Sequence, residues 1–239
     1  MKNKIYTNKV FQYRFSKTRI TWDDFFESEK PMMEHANFKP TDAVLDLGCS
    51  CGGLGIALKE KFGVLNYTGI DINEPSILMG EKLNPNATLY YGDIIDERFK
   101  HFYESYDKVI SFCCIDWNIE FDKMLETAWG YVKPGGYLIT SLRLTNQESI
   151  KDITKSYQYV EEDIAQYTVL NINEILNTFK SYQPEEIYAY GYWGDIKPNI
   201  TTLYDQVCFS VFTIKKSTEN TNNIIINLNL PNNLLKSLI

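Results

Sequence analysis

Residues 43–142 alternate short apolar runs with helix-length segments, and this alternation limits the fold more than any other feature of the chain. The runs lie at 43–47, 67–72, 88–91, 108–115 and 137–142, and helical stretches at 54–62, 76–83 and 121–132 fall between them. The run at 108–115 reads as a strand covered on both faces. Strands that take turns with helices of this length predict an α/β domain with a mostly parallel sheet and helices on both faces. Lys133-Pro134-Gly135-Gly136 reads as the turn that ends the third helix and opens the fifth strand. Beyond residue 142 the alternation stops. Two further strands are expected at 186–192 and 206–215, joined by a long connection at 193–205. No internal repeat and no linker divides the chain, so residues 1–239 read as one domain: an N-terminal arm and helix at 1–38, a core at 40–216 and an Asn-rich tail at 217–239.

The charge balance narrows the partners. Lys plus Arg is 24 and Asp plus Glu is 31, a net charge of −7, which opposes non-specific binding to nucleic acid or to an anionic membrane. The five cysteines are odd in number and form no C-x-x-C pair, so neither a disulfide framework nor a structural zinc site is expected. A reducing cytoplasm suits such a chain. The first twenty residues carry no signal-peptide apolar run, and no apolar stretch approaches membrane-spanning length. The basic residues of the arm (Lys2, Lys4, Lys9, Arg14, Lys17, Arg19) are interleaved with Tyr6, Phe11, Tyr13 and Phe15, and no acid lies among them. The arm reads either as a solvated segment whose aromatics pack on the body or as a lid over an anionic ligand. Residues 21–37 read as one helix, with Thr21 as N-cap and Asp23 and Asp24 in its first turn. In the tail, 224–226 and 234–239 are the parts able to dock as a strand or short helix.

The sharpest local signal is Val44-Leu45-Asp46-Leu47-Gly48-Cys49-Ser50-Cys51-Gly52-Gly53. A buried strand ends beside an acid, and a Gly-rich turn opens a helix whose N-terminal N–H groups are free for a ligand. In open α/β sheets ligands bind beyond the carboxyl ends of the strands. Asp46, Asp71, Asp93 and residues 113–117 all fall at such ends, although each acid also reads as a helix cap or a solvated turn residue.

The Gly-rich stretch resembles motif I of the class I S-adenosylmethionine (SAM)-dependent methyltransferases. Gly48 and Gly52 match the first and third glycines of that motif, and Ser50 stands in place of the second. The same serine counts against a dinucleotide G-x-G-x-x-G loop. Further along, Gly69-Ile70-Asp71-Ile72-Asn73 is similar to the family's ribose-binding strand end, and Tyr91-Gly92-Asp93-Ile94 to its adenine-binding one. Tyr106-Asp107-Lys108-Val109-Ile110-Ser111-Phe112 resembles its fourth strand, and Val132-Lys133-Pro134-Gly135-Gly136-Tyr137-Leu138 the approach to its fifth. The resemblance covers about residues 40–142. It implies a Rossmann-like seven-stranded sheet whose last strand is antiparallel, with 186–192 and 206–215 as strands six and seven. It also implies SAM as cofactor, S-adenosylhomocysteine as product, and a cofactor site made of Asp46, Gly48, Ser50, Cys51, Gly52, Asp71, Ile72, Asp93, Ile94 and Phe112.

Methyl transfer from a sulfonium is an in-line displacement. Positioning supplies much of its rate, and a base is needed only for a hydroxyl or a protonated amine. His35 and His101 both fall away from the cofactor edge. Better placed are Asp116 and Trp117 beyond strand four, with Asp116 read either as an acceptor-positioning acid or as a helix cap. Arg143 after strand five suits bidentate grip on a phosphate or carboxylate. The resemblance implies that the connection holding Tyr192, Trp193, Asp195 and Tyr204 borders the acceptor pocket, although its aromatics also read as packing against the sheet edge. Cys113 and Cys114 read as small buried residues, and no metal is expected. The expected activity is methyl transfer to O or N of a small, anionic or sugar-linked acceptor, such as a surface-polysaccharide precursor. Alternatives are an RNA or protein methyltransferase, a SAM-binding subunit without turnover, and a nicotinamide dehydrogenase.

Overall fold

The fold is described from a computed structural model, which places residues 9–160, 163–219 and 223–238. The chain opens with α1 (Lys9–Phe15) and α2 (Glu29–His35). The alternating core follows: β1 (Ala43–Leu47), α3 (Gly53–Phe62), β2 (Asn66–Asp71), α4 (Glu74–Leu83), β3 (Thr88–Tyr91), β4 (Tyr106–Ser111), α5 (Phe121–Tyr131) and β5 (Val132–Thr145). Then come β6 (Tyr157–Val160), β7 (Asp163–Gln166), β8 (Leu170–Asn171), α6 (Ile172–Ser181), β9 (Glu186–Asp195), β10 (Ile200–Thr201) and β11 (Gln206–Lys215). The chain closes with β12 (Ile225–Asn229) and α7 (Asn232–Leu235).

The main sheet runs β12-β9-β11-β5-β4-β1-β2-β3, with β8 paired to the end of β5. All pairings are parallel except those of β11, which is antiparallel to both β5 and β9. The seven strands expected from the sequence are therefore present, with the antiparallel one inside the sheet. The tail adds β12 outside β9, in register from Ile225 opposite Glu186 to Asn229 opposite Tyr190. Leu234 of α7 is fully buried, so the tail docks as both a strand and a short helix. Asn220, Asn222 and Ile239 lie outside the described residues, as do Lys2, Lys4, Tyr6 and the side chains of Lys9 and Phe11.

Two apolar layers clamp the sheet. One joins Leu45, Val109, Leu138 and Phe212 to Met124 and Leu125 of α5 and to Ile172, Ile175, Leu176 and Phe179 of α6. The α6 residues recur at i, i+3, i+4 and i+7, the spacing of one helix face. Asn171 caps that helix, its side-chain oxygen accepting from the Asn173 and Glu174 N–H groups at 2.8 and 3.3 Å. The other layer joins Val44, Ile110, Ile139 and Val211 to Met32 and Met33 of α2 and to Leu54, Ala57 and Leu58 of α3.

Four boundaries differ from the sequence reading. Residues 21–37 are not one helix but a 3₁₀ turn at Trp22–Asp24 followed by α2. The Asp24 carboxylate accepts from the Ile20 and Thr21 N–H groups at 2.9 Å each, which closes a local turn, and Phe25 leaves it in an extended conformation. β4 stops at Ser111, because Cys113 takes a left-handed φ of 50° and Ile115–Trp117 forms a 3₁₀ turn. β5 begins at Val132, so Lys133-Pro134-Gly135-Gly136 is an irregularity within the strand. Gly135 donates its N–H there to the Lys216 carbonyl at 2.8 Å. Finally, β6, β7 and β10 pair in a separate three-stranded sheet, β10-β6-β7, whose strands of two to four residues are too short to show a strand period in the sequence.

Candidate cofactor and acceptor site

The turn from β1 to α3 has little freedom to change. Gly48 has φ of 78°, and a Cβ on it would stand 2.5 Å from the Cys114 sulfur. A Cβ on Gly53 would stand 2.5 Å from the Arg19 carbonyl oxygen, so the arm presses directly on the loop. The Gly48 and Cys49 N–H groups both donate to the Ile70 carbonyl, at 2.8 and 3.1 Å, which ties the loop to the end of β2. Ser50 adopts φ of 49°, a left-handed conformation that costs a non-glycine residue about 1 kcal/mol. Its N–H donates at 2.8 Å to the Asp71 carboxylate, which offsets that strain.

Asp71 is the hub of this edge. One carboxylate oxygen accepts from Ser50 and the other from the Asn73 N–H at 2.7 Å, so the rotamer is fixed while further lone pairs remain on both oxygens. Burial raises its pKa, and the two backbone donors oppose that rise. Asp46 is deeper, 5% exposed, and accepts from the Tyr67 hydroxyl at 2.5 Å. Burial pushes its pKa up to about 7. At the end of β3, the Asp93 carboxylate accepts from the Ile95 N–H at 3.2 Å. Ile94 is buried, Ile72 is half-buried, and Phe112 is buried just past β4. Cys51 lines the loop and donates its thiol to the Gln12 carbonyl of α1 at 3.6 Å. The ten residues named for this edge from the sequence are therefore all at the carboxyl ends of β1 to β4 or in the loop after β1.

Beyond β4 the side chains pair differently from the sequence reading. The sequence suits Arg143 to gripping a phosphate or carboxylate. Its guanidinium is instead 5% exposed and held 2.9 Å from an Asp116 carboxylate oxygen. It also donates to the Asp116 carbonyl at 2.5 Å and to the Thr168 carbonyl at 3.0 Å, and it stacks 3.8 Å over the Tyr167 ring. Arg143 thus bolts β5 to the turn after β4 and to the segment after β7. Asp116 does not cap α5, whose N-cap is Glu120. Its second carboxylate oxygen and the Tyr167 hydroxyl are both buried without a hydrogen-bond partner. Trp117 is half-buried in the same turn. Tyr192 is half-buried near Ser28 and Glu29, at the start of α2.

Several residues of this edge escape sequence reading. Arg19, at φ of 60°, grips Glu29 with two hydrogen bonds of 3.1 and 3.0 Å. Glu29 is 1% exposed, and the guanidinium lies 4.5 Å over Phe25 and 5.9 Å from the Phe112 ring. Cys113 is exposed, contrary to the buried position expected from the sequence, and its N–H donates to the Ser141 hydroxyl at 2.7 Å. It sits within electrostatic reach of Arg19, Glu29, Asp116 and Arg143. The basic arm signalled Arg19, but nothing in the sequence tied it to Glu29. The histidines lie elsewhere. His35 stands 3.1 Å from Glu186 at the amino end of β9, and His101 is exposed on the turn leading to β4.

Residues 38–198, more than half of the chain, match the methyltransferase-domain family. The chain belongs to the class I SAM-dependent methyltransferases. Phosphoethanolamine N-methyltransferase 2 of Caenorhabditis elegans is 25% identical over 178 residues, which cover 71% of this chain and 39% of that protein. Phosphoethanolamine N-methyltransferase of Plasmodium falciparum is 26% identical over 183 residues, 73% of this chain and 66% of that protein. This methyltransferase chain therefore spans between about two-fifths and two-thirds of the length of these curated relatives. A SAM-dependent methyltransferase from Methanosarcina mazei shares the fold, with a TM-score of 0.59 at 18% identity over 78% of this chain and 98% of that one. Among the described residues of the methyltransferase, no group of three or more His, Cys, Asp or Glu side chains is arranged to hold a metal ion. No described helix is long and apolar enough to cross a membrane.

Proposed function

We propose that the protein transfers the methyl group of SAM to a nitrogen or oxygen of a small anionic acceptor. The observation that carries this reading is the meeting of three features at one sheet edge. The Gly-rich loop with Asp71 lies on one side, and the Arg19–Glu29 and Arg143–Asp116 pairs flank the exposed Cys113 on the other. The loop and Asp71 fit SAM. The loop brings backbone close to the ligand at the start of α3, whose N-cap Gly52 makes no side-chain cap bond, and a fixed carboxylate suits the paired hydroxyls of a ribose. Asp46, Gly48, Ser50, Cys51, Gly52, Asp71, Ile72, Asp93, Ile94 and Phe112 would hold it. SAM, when bound, supplies a methyl group activated on a sulfonium.

The chain's own part is to orient the acceptor and exclude water. With both histidines away from this edge, positioning rather than proton removal by imidazole carries the rate. Arg19, 22% exposed at its side chain, recognises the acceptor's anionic group. Asp116 and Arg143 shape the wall beyond β4, with Trp117 and Tyr192 bordering it. The phosphoethanolamine N-methyltransferases among the relatives support an acceptor bearing a phosphate.

Calorimetric titration with SAM and S-adenosylhomocysteine, with Asp71→Ala as control, tests the cofactor half. Labelled-methyl transfer to phosphoethanolamine, other phosphomonoesters and carboxylates tests the acceptor half. The expected result is turnover of at least one anionic acceptor, with Arg19→Met raising KM more than it lowers kcat. SAM binding with no transfer to any anionic acceptor would overturn the acceptor reading.

A further inference from the structure

A second concavity lies on the same sheet edge, away from the Gly-rich loop. It is an open surface groove of about 500 Å³ with a mostly polar lining. Four separate segments wall it: Thr145, Asn146 and Gln147 at the end of β5 and just past it; Trp193 and Asp195 at the end of β9; Leu203 to Gln206 leading into β11; and Asn233 of α7. At roughly 4.8 Å per strand, β11 lies about 14 Å along the sheet from β1, so this cleft is distinct from the cofactor loop.

The lining selects its ligand by chemistry. It contains Asp195 and Asp205 but no Lys, Arg or His, which disfavours anions. It also contains four carboxamides, from Asn146, Gln147, Gln206 and Asn233. A carboxamide offers donors and an acceptor together. That suits hydroxyls, which also do both, whereas an ammonium group is donor-only and leaves the NH₂ groups unused. Two aromatic side chains complete the wall, and each is held by its polar end. The Trp193 indole donates to the Asn233 side-chain oxygen at 2.6 Å, and the Tyr204 hydroxyl donates to the Glu148 carbonyl at 2.5 Å. Gln206 donates to one Asp195 oxygen at 2.7 Å, which sets a carboxamide beside a carboxylate at the cleft wall. Fixed aromatic surface with carboxamides and carboxylates around it matches the C–H face and the vicinal hydroxyls of a pyranose.

We propose that this cleft binds an uncharged sugar unit. The same chemistry serves a free saccharide or the glycosyl end of a larger acceptor. The inference does not depend on methyl transfer, and its test reads binding alone.

Saturation-transfer NMR on the full chain, with neutral mono- and disaccharides at millimolar concentration, tests it. The expected result is transfer to the ring C–H protons of at least one sugar, with affinity at least tenfold weaker in Trp193→Ala. Because Trp193 is partly buried, Asn146→Ala and Asp205→Asn provide the same readout from exposed side chains. Both are expected to weaken the sugar while leaving SAM affinity unchanged. No saturation transfer to any sugar would overturn the proposal. So would sugar binding unchanged in both exposed-site variants, or tighter binding of spermidine or of sugar phosphates than of any neutral sugar. Repeating the titration with S-adenosylhomocysteine separates the two sources. Sugar affinity that rises with the nucleoside supports the glycosyl end of an acceptor, and affinity that does not change supports a free saccharide.

Discussion

Replacing Arg143 by Met is expected to unsettle the fold before it touches recognition. The wild-type guanidinium makes hydrogen bonds of 2.9 and 2.5 Å to Asp116 and one of 3.0 Å to the Thr168 carbonyl, and both members of the ion pair are 5% exposed. Methionine keeps an unbranched apolar stem but leaves the Asp116 carboxylate buried without a counter-charge. Breaking a buried pair from one side costs about 3–5 kcal/mol, a large share of the ~5–15 kcal/mol that holds a typical domain. At this chain length the loss lowers Tm by roughly 6–20 °C. The loss is also pH-dependent. Burial already raises the Asp116 pKa while Arg143 pulls it down, so removing Arg143 raises it further. A carboxyl whose folded pKa exceeds its unfolded value favours folding most in acid, and that contribution fades as pH rises through the folded pKa. The variant's deficit is therefore larger at pH 8 than at pH 5. Urea unfolding followed by circular dichroism at both pH values measures this, with Arg143→Met/Asp116→Asn expected to recover part of the loss at pH 8. A deficit under about 1 kcal/mol at pH 8, or an equal deficit at both pH values, would refute the reasoning and return Arg143 to an open, ligand-facing role.

Other expected outcomes follow from the same geometry. Asp71→Asn presents an NH₂ to one of the two backbone donors that the carboxylate now accepts, and SAM affinity by calorimetry should fall by about 2–4 kcal/mol, roughly 30- to 1,000-fold. Asp46 rises from 3.8 to about 7 on folding, so wild-type stability should decline between pH 4 and 7 by up to about 4 kcal/mol from this group; Asp46→Asn should flatten that decline in urea titrations, and parallel pH profiles would contradict it. Ser50→Gly removes a left-handed non-glycine residue and should leave the unfolding free energy from urea titration unchanged or slightly raised, by no more than about 1 kcal/mol. Truncation after residue 217 removes β12 together with the buried Leu230 and Leu234 and so uncovers the apolar layer they pack on; Tm should fall and dye binding to apolar surface should rise.

Sequence alone determined the parts whose causes are local. The turn Gly48 to Gly53 is legible because a left-handed φ at Gly48 and close packing at Gly53 demand residues without a Cβ. The acids at the ends of β1, β2 and β3 are legible because strand ends follow from runs of apolar residues, and the strand order along one edge then gathers them. The antiparallel β11 and its neighbour β9 were readable as apolar strands of the right length. Pairings between distant residues have no such local cause. Arg143 and Asp116 are 27 positions apart, and no periodicity indicates that one neutralises the other. The Arg19–Glu29 grip required the 21–37 segment to break at Phe25, where the side chain of Asp24 outcompetes helix formation for the backbone donors. In the small sheet β10-β6-β7, β6 pairs with β10 from about 40 residues away, and Ile200 of β10 packs on the cluster of Tyr167, Val169 and Val207. Local chemistry sets turns, caps and strand ends; which charges meet across the carboxyl edge is set by how the layers close.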